Sequence, residues 1–241
     1  MTNNYVKMPK TPHKKTRNRS PEKKAAQFEK ILEAGKELVI KRGRHGFSMR
    51  ALGRSLGMNQ NNLYNYVASK RELYIAIRNK FFKQYRKENL EIIKKHKGSS
   101  FELLMNIFKH FLNFAENDFG AFSMMHLRTL PPSDKIGPIE KEYKEFRYLR
   151  GTTRIISNAI EEGAIKESNA EKLTFFIYSV ILGAAIVERN MRVILREMNS
   201  QGDSVSENMD FRMAEFSSSD FRNYVLENLE FILRKKKIDK I

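Results

Sequence analysis

Apolar residues recur along this chain at three- and four-residue spacing and hardly anywhere at alternate positions. Phe28, Ile31, Leu32, Gly35, Leu38 and Val39 form the first such stripe. It predicts an amphipathic helix running from a Ser20-Pro21 start to about Gly43. Further starts are marked by a serine answered by glutamate three residues on: Ser69 with Glu72, Ser99 with Glu102, Ser168 with Glu171. Gly137-Pro138-Ile139-Glu140 and the Ser217–Asp220 cluster add two more, and breaks fall at Lys97-Gly98, Pro131-Pro132, Glu162-Gly163 and Asn199–Asn208. Runs of alternating β-branched residues and Asn-Gly or Asp-Gly hairpin turns are missing. The pattern therefore predicts an all-α protein of about nine helices.

One stretch departs from ordinary amphipathic helix, "GFSMRALGRSLGMNQNNLYNYV". Ser48 can cap a short helix whose inner face is Met49, Leu52, the small Gly53 and Leu56, and Gly57 suits a tight turn. Met58 and Leu63 then anchor a second short helix capped by Asn59. Two short helices about a glycine turn, the second exposing amides, form a helix-turn-helix. Gln60, Asn61 and Asn62 offer the paired donors and acceptors that read adenine edges. The tyrosine hydroxyls of Tyr64 and Tyr66 and the cap-region amide of Asn59 suit phosphate oxygens. Lys70 opposes the dipole of the helix it begins, which makes sense beside a phosphate.

Charge agrees with this division. Residues 1–80 hold 19 basic and 5 acidic side chains, whereas the remaining 26 basic and 23 acidic residues almost cancel. The excess of +17 calls for an anionic partner, and it is concentrated where the helix-turn-helix lies. Residues 1–20 carry six Lys or Arg, two prolines and nothing to bury, which predicts a disordered basic arm. The chain has no cysteine, so thiolate chemistry and disulfides are excluded. The five histidines are scattered, and neither a metal cluster nor a phosphate-binding glycine loop can be assembled, which argues against an enzyme or a metal site. No secretory signal is present, and the longest uncharged stretch, Leu173–Val187, is shorter than the roughly 20 residues of a membrane span. A cytoplasmic protein without membrane contact is expected.

The ordered positions Ile31-Leu32, Gly43, Gly46, Ser48, Leu52, Gly57, Leu63-Tyr64, Tyr66, Ser69-Lys70 and Leu73 resemble the amino-terminal domain of TetR-family transcriptional regulators. The likeness covers about residues 25–80. It implies a helix-turn-helix domain over 21–80 and a helical ligand-binding and dimerisation domain over 81–241. It further implies a homodimer on a palindromic double-stranded DNA operator, usually a repressor released by a small-molecule effector, with no other cofactor. Carried over by position, Ser48, Tyr64, Tyr66 and Lys70 match phosphate contacts, and Arg50 and Gln60 match base contacts. Arg44, Asn61 and Asn62 depart from the usual residues. A non-specific basic helical protein for nucleic acid or anionic lipid is the alternative, but it leaves the order of these positions unexplained.

Beyond residue 81 only helical pattern is legible. The resemblance implies an effector pocket, for which Phe108, Phe111, Phe122 and Phe176 are apolar candidates and His110, His126, Arg150 and Arg154 polar ones. Arg150 and Arg154 share a helix face and could hold a carboxylate or phosphate, as in an acyl-thioester; such a hydrophobic or acyl ligand is expected. The last two helices, about Ala170–Met198 and Asp220–Lys235, are expected to form a dimer bundle through Gly183, Ala184, Phe221, Tyr224 and Val225.

Overall fold

The structure, a computed structural model, describes residues 20–201 and 217–234. The basic arm and most of the polar loop before the last helix lie outside them. Side-chain caps open most of the helices. Ser20 accepts from the Lys23 N–H and Pro21 follows, beginning α1 (Pro21–Gly46). Gly43 does not end α1, which continues one turn to Gly46 before the buried, extended Phe47. Ser48 caps α2 (Met49–Ser55), Asn59 caps α3 (Gln60–Leu63), and Ser69 caps α4 (Lys70–Lys95). Both halves of the predicted capping box form at Ser99 and Glu102, starting α5 (Ser100–Asn117).

Asp118 caps the short α6 (Phe119–Phe122), which runs into a π-helical turn, Ser123–Leu127. An irregular strap then leads to α7 (Pro138–Glu142), a 3-10 turn at Arg147–Leu149, and α8 (Arg150–Glu161). Before α8 the chain turns through Phe146 in the left-handed region, φ 57°. In α9 (Ala170–Gln201) the start differs from expectation by one residue. Asn169, not Ser168, accepts from the Lys172 N–H, and Ser168 instead donates to Glu167. Ser217 and Asp220 form a second full capping box for α10 (Ser218–Leu233). The described residues thus form ten α-helices, and extended pairing among them is limited to an isolated bridge between Ile165 and Arg234.

Two hydrophobic cores result. The first gathers Ile31, Leu38 and Val39 of α1 with Leu52, Leu63, Val67, Leu73 and Ile77. The second gathers Phe101, Leu104, Phe108 and Phe111 of α5 with Ile156, Ile177, Ile181 and Leu229. α4 passes through both, so the boundary expected at residue 80 falls within a continuous helix. Moreover Ala121, Met124 and Met125, from the second module, complete the first core. From Glu72 to Arg78 every residue of α4 is buried, as befits a helix enclosed by neighbours on all sides.

Two of those buried residues are charged, and both are tied to the strap. Glu72 returns no bond to Ser69. Its carboxylate accepts from the Ala68 N–H at 2.6 Å and from the Ile139 N–H at 2.8 Å. Gly137 passes so close that a Cβ there would collide with this carboxylate. Arg78 donates from Nε to the Met124 carbonyl at 3.0 Å, from Nη1 to the Tyr143 hydroxyl at 3.1 Å, and from Nη2 to the Arg128 carbonyl. Arg71 adds an ion pair to Glu140 at 2.5 Å. The start of α4 is thereby fastened to residues 124–143 of the second module.

α9 is long and apolar enough, by length and composition, to cross a membrane. Its inner face, Leu173, Ile177, Ile181, Ala184, Ala185 and Met191, is instead buried against the rest of the molecule.

Candidate nucleic-acid interface

The turn between α2 and α3 sets the geometry of the exposed amides. Gly57 sits at φ 63°, in the left-handed region that glycine adopts at no steric cost. The Met58 N–H bonds the Gly53 carbonyl at 2.9 Å and the Gly57 N–H bonds that of Arg54 at 3.2 Å. This pair of bonds is the Schellman arrangement, which closes α2 and reverses the chain. A Cβ at Gly53 would lie 2.7 Å from the Met58 carbonyl oxygen, so only glycine lets α3 approach this closely. Leu63, fully buried, pins the far end of α3, and Asn59 Oδ1 accepts from the Asn61 N–H at 2.9 Å at its start.

With the helix held on that side, Gln60, Asn61 and Asn62 all face solvent. Arg50 and Arg54, one turn apart on α2, are exposed beside them and line a cleft of about 280 Å³ with Met58, Asn59 and Gln60. Arg54 is absent from the expected site; its spacing of four from Arg50 on the outward face of a short helix was the available signal. Tyr64 is exposed, and Lys70 lies at the exposed start of α4. Ser48 is partly buried because its hydroxyl oxygen serves the Ala51 N–H as cap. Tyr66 is also partly buried and lies parallel to Phe28 at 6.1 Å between ring centroids. Of the expected residues, Arg50, Asn59 and Gln60 thus share one cleft, while Asn61, Asn62, Tyr64 and Lys70 are exposed and Ser48 and Tyr66 are partly buried.

The expected effector residues do not converge as a set. Phe111, Phe122 and His126 meet in the second core, with ring centroids 4.9–5.2 Å apart, and Phe108 is buried on the same helix as Phe111. His110 lies apart, stacked on Tyr85 at 5.1 Å and 3.4 Å from Glu88. Arg150 and Arg154 are solvent-exposed on α8, and Phe176 is exposed on α9, so none of the three reaches the aromatic cluster. Arg150 and Arg154 are four residues apart on α8, and the face they occupy is the outer one.

The expected dimer residues also divide. Ala184 is buried in its own protomer's core, and Phe221 and Val225 pack partly against that core. A Cβ at Gly183 would meet only open space, and Tyr224 is exposed. Around them Phe175, Phe176, Val187, Phe231 and Ile232 are also exposed, leaving an apolar outer face on α9 and α10.

Residues 31–77 match the family model of bacterial regulatory proteins of the tetR family. No curated protein matches the chain. Solved structures do. A tetR-family transcription regulator from Shewanella sp. PV-4 is 14% identical, with TM-score 0.59, covering 87% of this chain and 99% of its own. The transcriptional regulator FadR from Bacillus subtilis, in complex with stearoyl-CoA, is 18% identical with TM-score 0.56, covering 85% and 98%. A transcriptional regulator from Saccharomonospora viridis in complex with choline is 13% identical with TM-score 0.58, covering 88% and 100%. At such identities these likenesses establish a shared fold, whereas the helix-turn-helix carries a family match of its own. Residues 31–77 thus match the helix-turn-helix domain of bacterial regulatory proteins of the tetR family, and the chain as a whole shares the fold of these solved structures.

Proposed function

We propose that this chain is a cytoplasmic repressor that binds a palindromic operator as a homodimer and is released by a small-molecule effector. The observation that carries this reading is the outward set Gln60, Asn61 and Asn62, held by the buried Leu63 and flanked by Arg50, Tyr64 and Lys70. The amides take base edges in the major groove, while Ser48, Asn59, Tyr64, Tyr66 and Lys70 take phosphates. Each protomer reads one half-site. Effector binding in the second module shifts α4 through Arg71, Glu72 and Arg78, altering the spacing of the two readers. Such a shift requires different effector affinities for the two spacings.

The second copy covers the outer face of α9 and α10. Exposed apolar patches of this kind mark association surfaces, and the open space over Gly183 lets a facing helix approach closely. Tyr224→Glu combined with Phe231→Glu places two charges on that face without touching either core. Light scattering is expected to give a dimer for the unmodified protein at micromolar concentration and a monomer for the double variant. Operator affinity should fall with dimer formation. A monomeric unmodified protein would overturn the bundle.

A further inference from the structure

Three buried donors on one short stretch have no hydrogen-bond partner among the described residues: Nε2 of His126 and both Nε and Nη1 of Arg128. Buried polar groups are nearly always paired, and an unpaired guanidinium is the costliest kind to leave. Both residues lie at the end of the π-helical turn Ser123–Leu127, a geometry found mostly as single turns at functional sites. His126 is enclosed by rings: Phe122 at 4.9 Å, Phe111 at 5.2 Å, Tyr148 at 5.3 Å and Phe82 at 5.6 Å between centroids. Its Nδ1 is 3.1 Å from the Tyr178 hydroxyl, which itself accepts from Tyr148 at 2.8 Å. With the Tyr178 proton donated to Nδ1, the imidazole proton sits on the orphaned Nε2. Burial, with Arg78 nearby, pushes the His126 pKa down to about 3, so the ring is a neutral donor at neutral pH.

The aromatic cluster also extends to the surface. Half-exposed Phe146, held at φ 57°, packs on Tyr148, Tyr178 and the half-exposed Phe175. A bulky residue in the left-handed region is uncommon, and such conformations gather at ligand sites and switches.

We propose that this turn is the effector seat and that the effector is an apolar carboxylic acid. Its carboxylate takes the free donors of Arg128 and His126, and its body lies among Phe82, Phe111, Phe122 and Tyr148. The charge balance favours a monoanion. Arg78, the other cation here, is engaged by two carbonyls and the Tyr143 hydroxyl and has the exposed Glu145 carboxylate 3.9 Å away, which leaves the Arg128 guanidinium as the one without a counter-charge among the described residues. A link to the reader is built in, because Arg78 of α4 holds the carbonyls of Met124 and of Arg128 itself. The inference rests on the proposed effector-released regulator and names the effector's chemistry.

The test follows thermal unfolding and operator binding with millimolar 2-naphthoate, benzoate and decanoate, each compared with its methyl ester. At least one acid is expected to raise the unfolding midpoint, exceed its ester, and release the operator. Arg128→Met should weaken that acid at least tenfold while unfolding no lower than the unmodified protein when ligand-free, since it removes orphaned donors. A residue serving structure alone would lower the ligand-free midpoint. Arg154→Gln, on the exposed face of α8, should change neither. No shift with any acid, binding without operator release, or an undiminished shift in both Arg128→Met and His126→Phe would overturn the proposal. Operator selection by the ligand-free protein is scored separately. If it succeeds and no acid acts, only the effector assignment fails; if it fails, the regulator reading itself falls.

Discussion

Gln60→Ala is expected to lower operator affinity about ten- to a hundredfold per half-site, the equivalent of about 1–3 kcal/mol for a base contact. The loss should be confined to duplexes carrying the preferred base at one position of each half-site, with random duplex bound as before. Gln60 is exposed at the start of α3, and its backbone is fixed by the Asn59 cap and the buried Leu63, so truncation removes a reader without disturbing the helix. Lys70→Ala should behave differently. Lys70 is exposed at the first position of α4, where removing a cation from beside a phosphate weakens every sequence alike. The slope of log affinity against log salt should fall by about 0.9 for each phosphate the protein no longer neutralises. Equal losses from both variants on all duplexes would contradict the division into base and phosphate contacts.

Arg222→Ala should destabilise the second module by about 3–5 kcal/mol, the usual result of leaving a buried charge unpaired. Arg222 donates from Nε to Glu188 at 3.2 Å, from Nη1 to Asn113 at 2.7 Å and from Nη2 to Glu116 at 2.5 Å. Glu188 is 2% exposed, so truncating its main partner leaves that buried carboxylate only the weaker pairing with Arg192 at 3.8 Å. The thermal midpoint should fall on the order of 10 °C for a chain this long. Replacing Arg222 and Glu188 together by methionine should recover most of the loss. A midpoint unchanged in the single variant would show that the network does not hold α10 in place. The same network gives an acid sensitivity of defined sign. The Glu116 carboxyl is held below its ordinary value of 4.5, first by the hydrogen bond from Arg222. Its contribution is therefore present above that pH and is lost as pH falls through the lower folded-state value.

The first module was legible in the sequence because its constraints are local. Caps at Ser48, Asn59 and Ser69, a glycine turn at Gly57 and the apolar stripe of α1 each act within a few residues. Glu72 shows where that reading stops. From sequence it completes a capping box with Ser69, yet its carboxylate bonds Ala68 and Ile139, because a strap some seventy residues away packs over it. The same limit governs the second module. Spacing placed Arg150 and Arg154 on one helix face but could not say which face turns inward. It put Ala184 beside Gly183 at the dimer surface, although neighbours in a helix point about a third of a turn apart and Ala184 is buried. Arg128 and Arg78 are lone arginines and carry no periodic signal in the sequence. Their significance lies in buried donors and carbonyls met only after the chain has folded.

Sequencing the DNA retained by the purified protein from a random duplex library tests most directly whether α3 reads sequence as one of two symmetric copies. The expected result is one two-fold-symmetric motif, bound roughly a thousandfold or more above random duplex at moderate salt. Retention of all duplexes alike, in proportion to salt and without an enriched motif, would contradict it and leave a non-specific basic helical protein.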